Sequence, residues 1–307
     1  VTSIKYSSFL IVILAIGTGV FLLVGIFLTF PEQASDDQVM AAQSPVMNMT
    51  PAPVVTKNEE PAPELTAKGV MIVDAPSGAV LYEKNAYDPL YPASTTKLMT
   101  ALVVIDEYAL DDVVVVPPLT VDGQKMRLYT GEQISIESLL YGMLVASAND
   151  AAEVLAHVHP EGRSYFISAM NKKADELQLI GTHFENPSGL DDIEQYTTAE
   201  DLLKIGLAVM NTPELARIVG TKEATVFSSS SNGGRHMFSN INSLLGTIPG
   251  VKGIKTGWTE IAGENLLTAV DRDGREIMIA LLASEDRFGE TKQLVEWVYR
   301  VHEWNNY

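Results

Sequence analysis

The chain has 307 residues, a formal net charge of −18 and no cysteine. An acidic chain of this kind lacks the basic stripes that hold phosphate backbones, which excludes nucleic acid as a partner. The missing cysteines exclude disulfide frameworks, thiolate metal sites and cysteine nucleophiles, and the 46% hydrophobic content supplies one ordinary-to-large domain with appendages.

Phe9 to Phe30 is an unbroken run of apolar and small residues. At about 1.5 Å per residue it reaches roughly 33 Å as a helix, enough for a bilayer core of about 30 Å. A cleaved signal peptide has a shorter apolar region, about 7–15 residues, and no small-x-small cleavage site follows Phe30. Lys5 precedes the run while Glu32, Asp36 and Asp37 follow it, so the positive-inside rule puts the N-terminus in the cytoplasm. From Pro31 to Thr66 no hydrophobic period survives, and Pro-Ala-Pro occurs at 51–53 and 61–63. The expected organisation is therefore a cytoplasmic N-terminus (1–8), a transmembrane signal anchor (9–30), a disordered Pro/Ala/Glu-rich linker (31–66) and an extracytoplasmic catalytic domain (67–307).

In the globular part, Gly69–Asp74 and Ala79–Tyr82 flank Pro76-Ser77-Gly78 and read as a β-hairpin. A helix follows from Ser94 to about Tyr108, then a pair of short strands, Val113–Val116 with Met126–Tyr129. Two helical segments meet at Ser147-Ala148-Asn149, with Asp150 at a capping position. Residues 162–180 form another amphipathic helix, 182–192 a turn-rich loop, and 197–210 a helix with Thr197 and Glu200 in capping-box spacing. Strands are expected at Ala224–Phe227, His236–Phe238, Gly253–Thr256, Asn265–Val270 and Glu276–Ala283, with Asp273-Gly274 turning between the last two. The chain closes on an amphipathic helix from Phe288 to about His302. Strands at both ends around a helical middle indicate an α+β domain whose N-terminal hairpin completes a sheet of C-terminal strands.

Ser94 stands three residues before Lys97, and no other lysine in the chain has a serine there. On a helix that spacing brings Cβ atoms within about 5–6 Å, so an amine of depressed pKa can activate the hydroxyl. Acyl transfer by such a pair needs a proton route to the leaving group, a polar clamp and a cation for a substrate carboxylate. Ser147 and Asn149 offer a hydroxyl and a carboxamide at a helix junction. Lys255 and Thr256 offer an ammonium and a hydroxyl on a strand, and Gly257 lets a substrate backbone lie close. A second Ser-x-Asn at 230–232 sits in a Ser/Gly-rich loop and reads as loop chemistry. His157 and His159 do not share a helix face and have no evident acidic third ligand, so no metal site is expected; Glu185 reads as a loop charge.

Ser-x-x-Lys, Ser-x-Asn and Lys-Thr-Gly in this order resemble the three motifs of penicillin-binding proteins and class A β-lactamases. VDAPSGAVLYEKNA, PASTTKLMTALV, LLYGMLVASANDAA, THFENPSGLDD and GIKTGWTEIAGENLL extend the resemblance to serine D-alanyl-D-alanine carboxypeptidases over residues 69–295. The resemblance implies a β-lactamase/transpeptidase-like α+β fold with a helical subdomain. It implies Ser94 as nucleophile, Lys97 as base and Ser147 as proton relay. Asn149, Lys255, Thr256 and Gly257 then bind substrate, and the backbone N–H groups of Ser94 and Trp258 form the oxyanion hole. The expected partners are the peptidoglycan stem peptide, β-lactams as inhibitors and the membrane through the N-terminal helix, with no cofactor. Departures are Trp258 where many relatives have His, Ser-Ala-Asn instead of Ser-Asp-Asn, and a chain that closes on one helix. Alternatives are a D,D-endopeptidase, a tethered β-lactam sensor, against which a single N-terminal span with no cytoplasmic effector domain argues, and a β-lactamase, for which no Glu-x-x-x-Asn segment is found between the second and third motifs.

Overall fold

The computed structural model describes residues 8–10, 27–29, 50–56, 60–229 and 234–304. The chain divides into two units, Val1–Asn48 and Met49–Tyr307. In the first, Ser8–Leu10 pairs antiparallel with Phe27–Thr29. The expected membrane helix at 9–30 falls mostly on residues 11–26 and 30, which lie outside the described ones. Where it overlaps them the backbone is extended, its polar groups satisfied by strand pairing instead of within a helix. Among the described residues no helix is long and apolar enough to cross a membrane.

The second unit is built on a five-stranded antiparallel sheet. Its strands are β1 (Gly69–Asp74), β2 (Val80–Lys84), β7 (Val251–Thr259), β8 (Gly263–Arg272) and β9 (Arg275–Ser284). Their order across the sheet is β7-β8-β9-β1-β2, so the N-terminal hairpin completes a C-terminal sheet, with Ile72 opposite Ile279. Alternation along β1 explains why every one of its residues is buried. Met71 and Val73 enter the core under the helical layer, while Val70 and Ile72 enter a second core under the closing helix α7 (Arg287–Val301). β9 does the same with Met278, Ala280 and Leu282 on one face and Ile277, Ile279 and Leu281 on the other. The sheet is thus the middle of three layers, and strands covered on both faces read as continuous apolar runs.

The helical layer centres on α1 (Lys97–Glu107), whose residues Leu98 to Val104 are all buried. One 3-10 turn, Ala93–Thr96, leads into it. Around it stand α2 (Ile136–Val145), α3 (Asn149–His157), α4 (Arg163–Glu176), α5 (Ala199–Met210) and α6 (Pro213–Val219). The seven residues of α6 are too few to show a helical period in the sequence.

Several expectations are corrected. β3 (Val113–Val115) pairs with β4 (Gln133–Ser135) and not with 126–129. The backbone N–H groups of Met126, Arg127 and Leu128 donate instead to the Asp150 carboxylate at 2.9, 2.9 and 3.1 Å, which holds that segment as a loop. Asp150 therefore caps a distant loop, and the N-cap of α3 is Ala148. The cap of α5 is Thr198, whose hydroxyl accepts from Asp201 N at 3.1 Å, because Thr197 is engaged by the backbone of Leu90. β5 (Glu223–Phe227) and β6 (Arg235–Ser239) form a hairpin of their own outside the main sheet. The expected linker also ends earlier than Thr66. Val54–Val55 pairs with His302–Glu303, Trp297 Nε1 donates to the Glu60 carbonyl at 3.0 Å, and Arg300 grips the Glu60 carboxylate at 2.6 and 2.9 Å. Backbone pairing and ion pairs dock this stretch, and neither leaves a hydrophobic period to read.

Replacing Asp150 with Ala strips one acceptor from three backbone donors, a loss of roughly 2–4 kcal/mol. A thermal melt is expected to show a Tm lower by roughly 5–15 °C. An unchanged Tm refutes the loop-capping role.

Candidate active site

Ser94 lies in the 3-10 turn before α1, and the turn is fixed from three sides. Asn265 on β8 is fully buried; its Nδ2 donates to the carbonyls of Tyr91 and Pro92 at 2.8 and 2.9 Å, while its Oδ1 accepts from Ala283 N at 2.8 Å. On β7, a Cβ at Gly257 would stand 3.0 Å from both Pro92 O and Ser94 N. On the loop after α4, a Cβ at Gly189 would collide with the Ala93 carbonyl, and its φ of +84° is one that L side chains rarely adopt. The sheet edge and the loop close on the turn only because both positions are glycine.

Lys97, in the first turn of α1, is completely buried. Its Nζ donates to Ser94 Oγ at 2.9 Å, to Asn149 Oδ1 at 2.7 Å and to the Ser188 carbonyl. These three acceptors match the three hydrogens of an ammonium group. Burial holds the Lys97 pKa well below the usual lysine range, and the Lys255 charge adds in the same direction; Glu153 and Asp150 oppose it in part. The Ser188 carbonyl is aimed by Asn186, whose Oδ1 collects the N–H groups of Ser188, Gly189 and Leu190 at 3.2, 2.7 and 3.2 Å. Sequence reading assigned no role to either residue.

α2 ends on a tight turn in which Ala146 N and Ala148 N both donate to the Gly142 carbonyl. This leaves Ser147 between them with a φ of +58°. The left-handed conformation, rare outside glycine, projects its hydroxyl to Lys255, whose Nζ donates to it at 2.9 Å and to the Thr256 carbonyl at 2.9 Å. Burial first, and the Arg287 charge second, lower the Lys255 pKa to about 7. Asn149 opens α3 with both ends of its carboxamide engaged: Oδ1 on Lys97, and Nδ2 on the Asp122 carbonyl at 2.8 Å.

Ser94, Ser147, Thr256, Gly257 and Trp258 line a cleft of about 290 Å³. Lys97, Asn149 and Lys255 are buried and do not line it. β7 is the edge strand of the sheet, so its outer backbone groups face this cleft without a strand partner. Four further lining residues escaped sequence reading: Gln124, Ile241, Glu264 and Arg287. Arg287 begins α7; its Nη1 donates to the Gly257 carbonyl at 2.8 Å, and its buried Nε has no partner among the described residues. Only the packing of α7 against β8 and β9 brings it there, and no local sequence signal marks it.

The remaining candidates lie elsewhere. Glu185 is held by His183 Nε2 at 2.8 Å and does not line the cleft. His159 pairs with Glu107 at 2.5 Å, and His157 bonds the Glu153 carbonyl at 2.8 Å. The second Ser-x-Asn at 230–232 falls outside the described residues.

Comparison with known proteins agrees with this geometry. The family profile described as D-alanyl-D-alanine carboxypeptidase matches residues 55–285. The carboxypeptidase DacF of Bacillus subtilis is 30% identical over 77% of this chain, and DacC of Escherichia coli is 36% identical over 79%. The chain spans 63% of the length of each of these two relatives. DacB2 of Mycobacterium tuberculosis is 35% identical over 72% of this chain and 76% of its own length. Among solved structures, a penicillin-binding protein homolog from M. tuberculosis superposes with a TM-score of 0.75 at 30% identity, covering 83% of this chain and 99% of that one. The Streptomyces K15 DD-transpeptidase superposes with a TM-score of 0.73 at 28% identity, covering 79% of this chain and 100% of its own. By motif order, fold and these matches together, the chain belongs to the D-alanyl-D-alanine carboxypeptidase family of serine peptidases.

Proposed function

We propose that the protein is a serine D-alanyl-D-alanine carboxypeptidase that removes the terminal D-alanine from peptidoglycan stem pentapeptides through an acyl-enzyme. The observation that carries this reading is the Lys97 amine, buried behind the cleft and 2.9 Å from the Oγ of Ser94, which lines it. Neutral Lys97 takes the Ser94 proton as Oγ attacks the carbonyl of the penultimate D-alanine. The developing oxyanion is received by the N–H groups of Ser94 and Trp258, each such donor typically contributing roughly 2.7–4 kcal/mol. The closeness of Gly257 to Ser94 N supports that pairing of donors.

The terminal carboxylate is met by the Thr256 hydroxyl and the charges of Lys255 and Arg287. Ser147 passes a proton to the departing amine; its partner Lys255, with a pKa of about 7, can exchange protons near neutral pH. Asn149 holds the Lys97 amine in register through its Oδ1. Ser147 relays to the departing amine the proton that Lys97 took from Ser94, which returns Lys97 to its neutral form; water then hydrolyses the ester, with Lys97 again taking the proton, and no cofactor enters any step.

Residues 9–30 are proposed as a membrane anchor that holds the catalytic unit in the cell envelope, a reading supported by their length and apolar composition. Fractionation of cells expressing the full chain is expected to place it in the membrane, and a version lacking residues 1–30 in the soluble fraction. Recovery of the full chain as soluble protein refutes the anchor.

Ser94→Ala is expected to abolish both the covalent penicillin adduct seen by intact-mass spectrometry and D-alanine release from pentapeptide; an undiminished adduct refutes the nucleophile assignment. Cross-linked muropeptides supplied in parallel are expected to survive, and their cleavage favours the endopeptidase alternative. The pH dependence follows from the two amines. Acylation gains as pH rises and Lys97 loses its proton, whereas carboxylate recognition declines as pH rises through about 7 and Lys255 loses its charge. The kcat/KM profile for pentapeptide is therefore expected to fall on its alkaline side. A C-terminal amide analogue, slow at every pH, lacks that fall, and an identical alkaline limb for both substrates removes Lys255 from carboxylate binding.

A further inference from the structure

One buried ionisable pair takes no part in the acyl-transfer steps. Glu132, just ahead of β4, is completely buried, and its partner His236 on β6 keeps only 9% of its side chain exposed. His236 Nε2 lies 2.6 Å from Glu132 Oε1, and Nδ1 lies 3.0 Å from the Met126 carbonyl. A carbonyl oxygen can only accept, so Nδ1 carries a hydrogen, and one further proton sits between Nε2 and the carboxylate. The second Glu132 oxygen accepts from Tyr129 N at 3.2 Å. An apolar pair of similar volume often holds two elements as well as a buried ionic one, so stability alone gives little reason for this pair.

The ring bears on the segment at 122–128, which belongs to no strand. Within it, the carbonyl of Asp122 accepts from Asn149 Nδ2 at 2.8 Å and that of Gln124 from Asn149 N at 2.7 Å. The N–H groups at 126–128 go to the Asp150 carboxylate. The first turn of α3 thus holds this segment through Asn149 and Asp150, and His236 adds a hold from β6. The placement of the segment matters because Asn149 Oδ1, at the other end of the same carboxamide, accepts from Lys97 Nζ. Gln124 also lines the cleft, as does Ile241, two residues beyond β6. The ring therefore joins the two pieces of chain that carry Gln124 and Ile241, and through Asn149 it is connected to the Lys97 amine.

We propose that His236, oriented by Glu132, is a positioning residue for acyl transfer. Its bond to the Met126 carbonyl fixes the segment that sets Asn149 against the Lys97 amine and Gln124 against the cleft. The role rests on the Ser94 acyl-enzyme reading above and on no property of the peptide substrate.

The two ring nitrogens can be tested apart, because an Asn amide nitrogen ends where Nδ1 stands and a Gln amide nitrogen where Nε2 stands. His236→Asn keeps the Met126 bond and leaves Glu132 as an unpaired buried acid. His236→Gln keeps Glu132 and leaves the Met126 carbonyl. Tm and the second-order rate of Ser94 labelling by fluorescent penicillin are measured on the full chain, the rate at a temperature below every Tm. His236→Ala is expected to label about tenfold more slowly than wild type, within the range that displaced catalytic geometry costs. His236→Asn is expected to recover most of that rate while melting below His236→Gln. His236→Gln is expected to label as slowly as His236→Ala. A purely structural pair makes rate and Tm fall together, so rates that track Tm through the series overturn the proposal, as does wild-type labelling by His236→Gln. The double variant Glu132→Gln/His236→Asn removes the buried charge and serves where His236→Asn is recovered unfolded. It is expected to label faster than His236→Gln, and a rate no faster overturns the proposal. This order of rates decides the matter whether or not the wild type releases D-alanine from pentapeptide. A wild type that never labels overturns the positioning role together with the acyl-enzyme reading.

Discussion

One buried amine sets the terms for the site. Lys97 has no access to water, and its three hydrogen bonds come from three separate pieces of chain: the turn at Ser94, the start of α3 at Asn149 and the loop carbonyl of Ser188. Losing any of these acceptors leaves a polar group unpaired in a dry interior, which costs about 1–3 kcal/mol and more for a charged group. The helix junction, the Asn186-ordered loop and the glycine-lined approach of β7 all meet that demand. The geometry suited to acyl transfer is in this sense the geometry that satisfies one amine.

The same burial works against the fold. Lys97 and Lys255 both have pKa values pushed below 10.5 by loss of water, Lys255 to about 7. A group that is less basic folded than unfolded binds fewer protons in the native state, so its contribution to stability grows as pH rises from the folded value toward the unfolded one. At neutral pH and below, the site is held together at the expense of stability, and the layers around the sheet supply the difference. The Lys255 charge further depresses Lys97, which keeps a neutral base and a cationic anchor within one small site.

Much of this was legible in the chain. The Ser94–Lys97 spacing, the Ser-x-Asn at a helix junction and the Lys-Thr-Gly strand are local patterns, and the residues at their centre do converge. The C-terminal strands and the Asp273-Gly274 turn were legible because apolar alternation and turn chemistry are local too. What escaped depends on partners far away in sequence. Asp150 resembles a helix cap and in fact serves a loop more than 20 residues before it. Arg287 reaches the cleft only through the packing of α7, and Asn265 reaches the nucleophile turn from 173 residues further along the chain. Glu60 and its neighbours read as linker because ion pairs and strand addition leave no hydrophobic period.

The loop after α4 has a consequence for how such an enzyme can change. Its first half, Asn186 to Gly189, is bound to the base and to the nucleophile turn, so substitutions there act on the chemistry itself. Its middle, Asp191 to Glu194, faces solvent and makes few commitments outside the loop beyond Thr259. A single short segment thus contains an invariable part and a free part side by side. New preferences can be explored in the second without risk to the reaction run by the first, which makes this loop the most evolvable edge of the site.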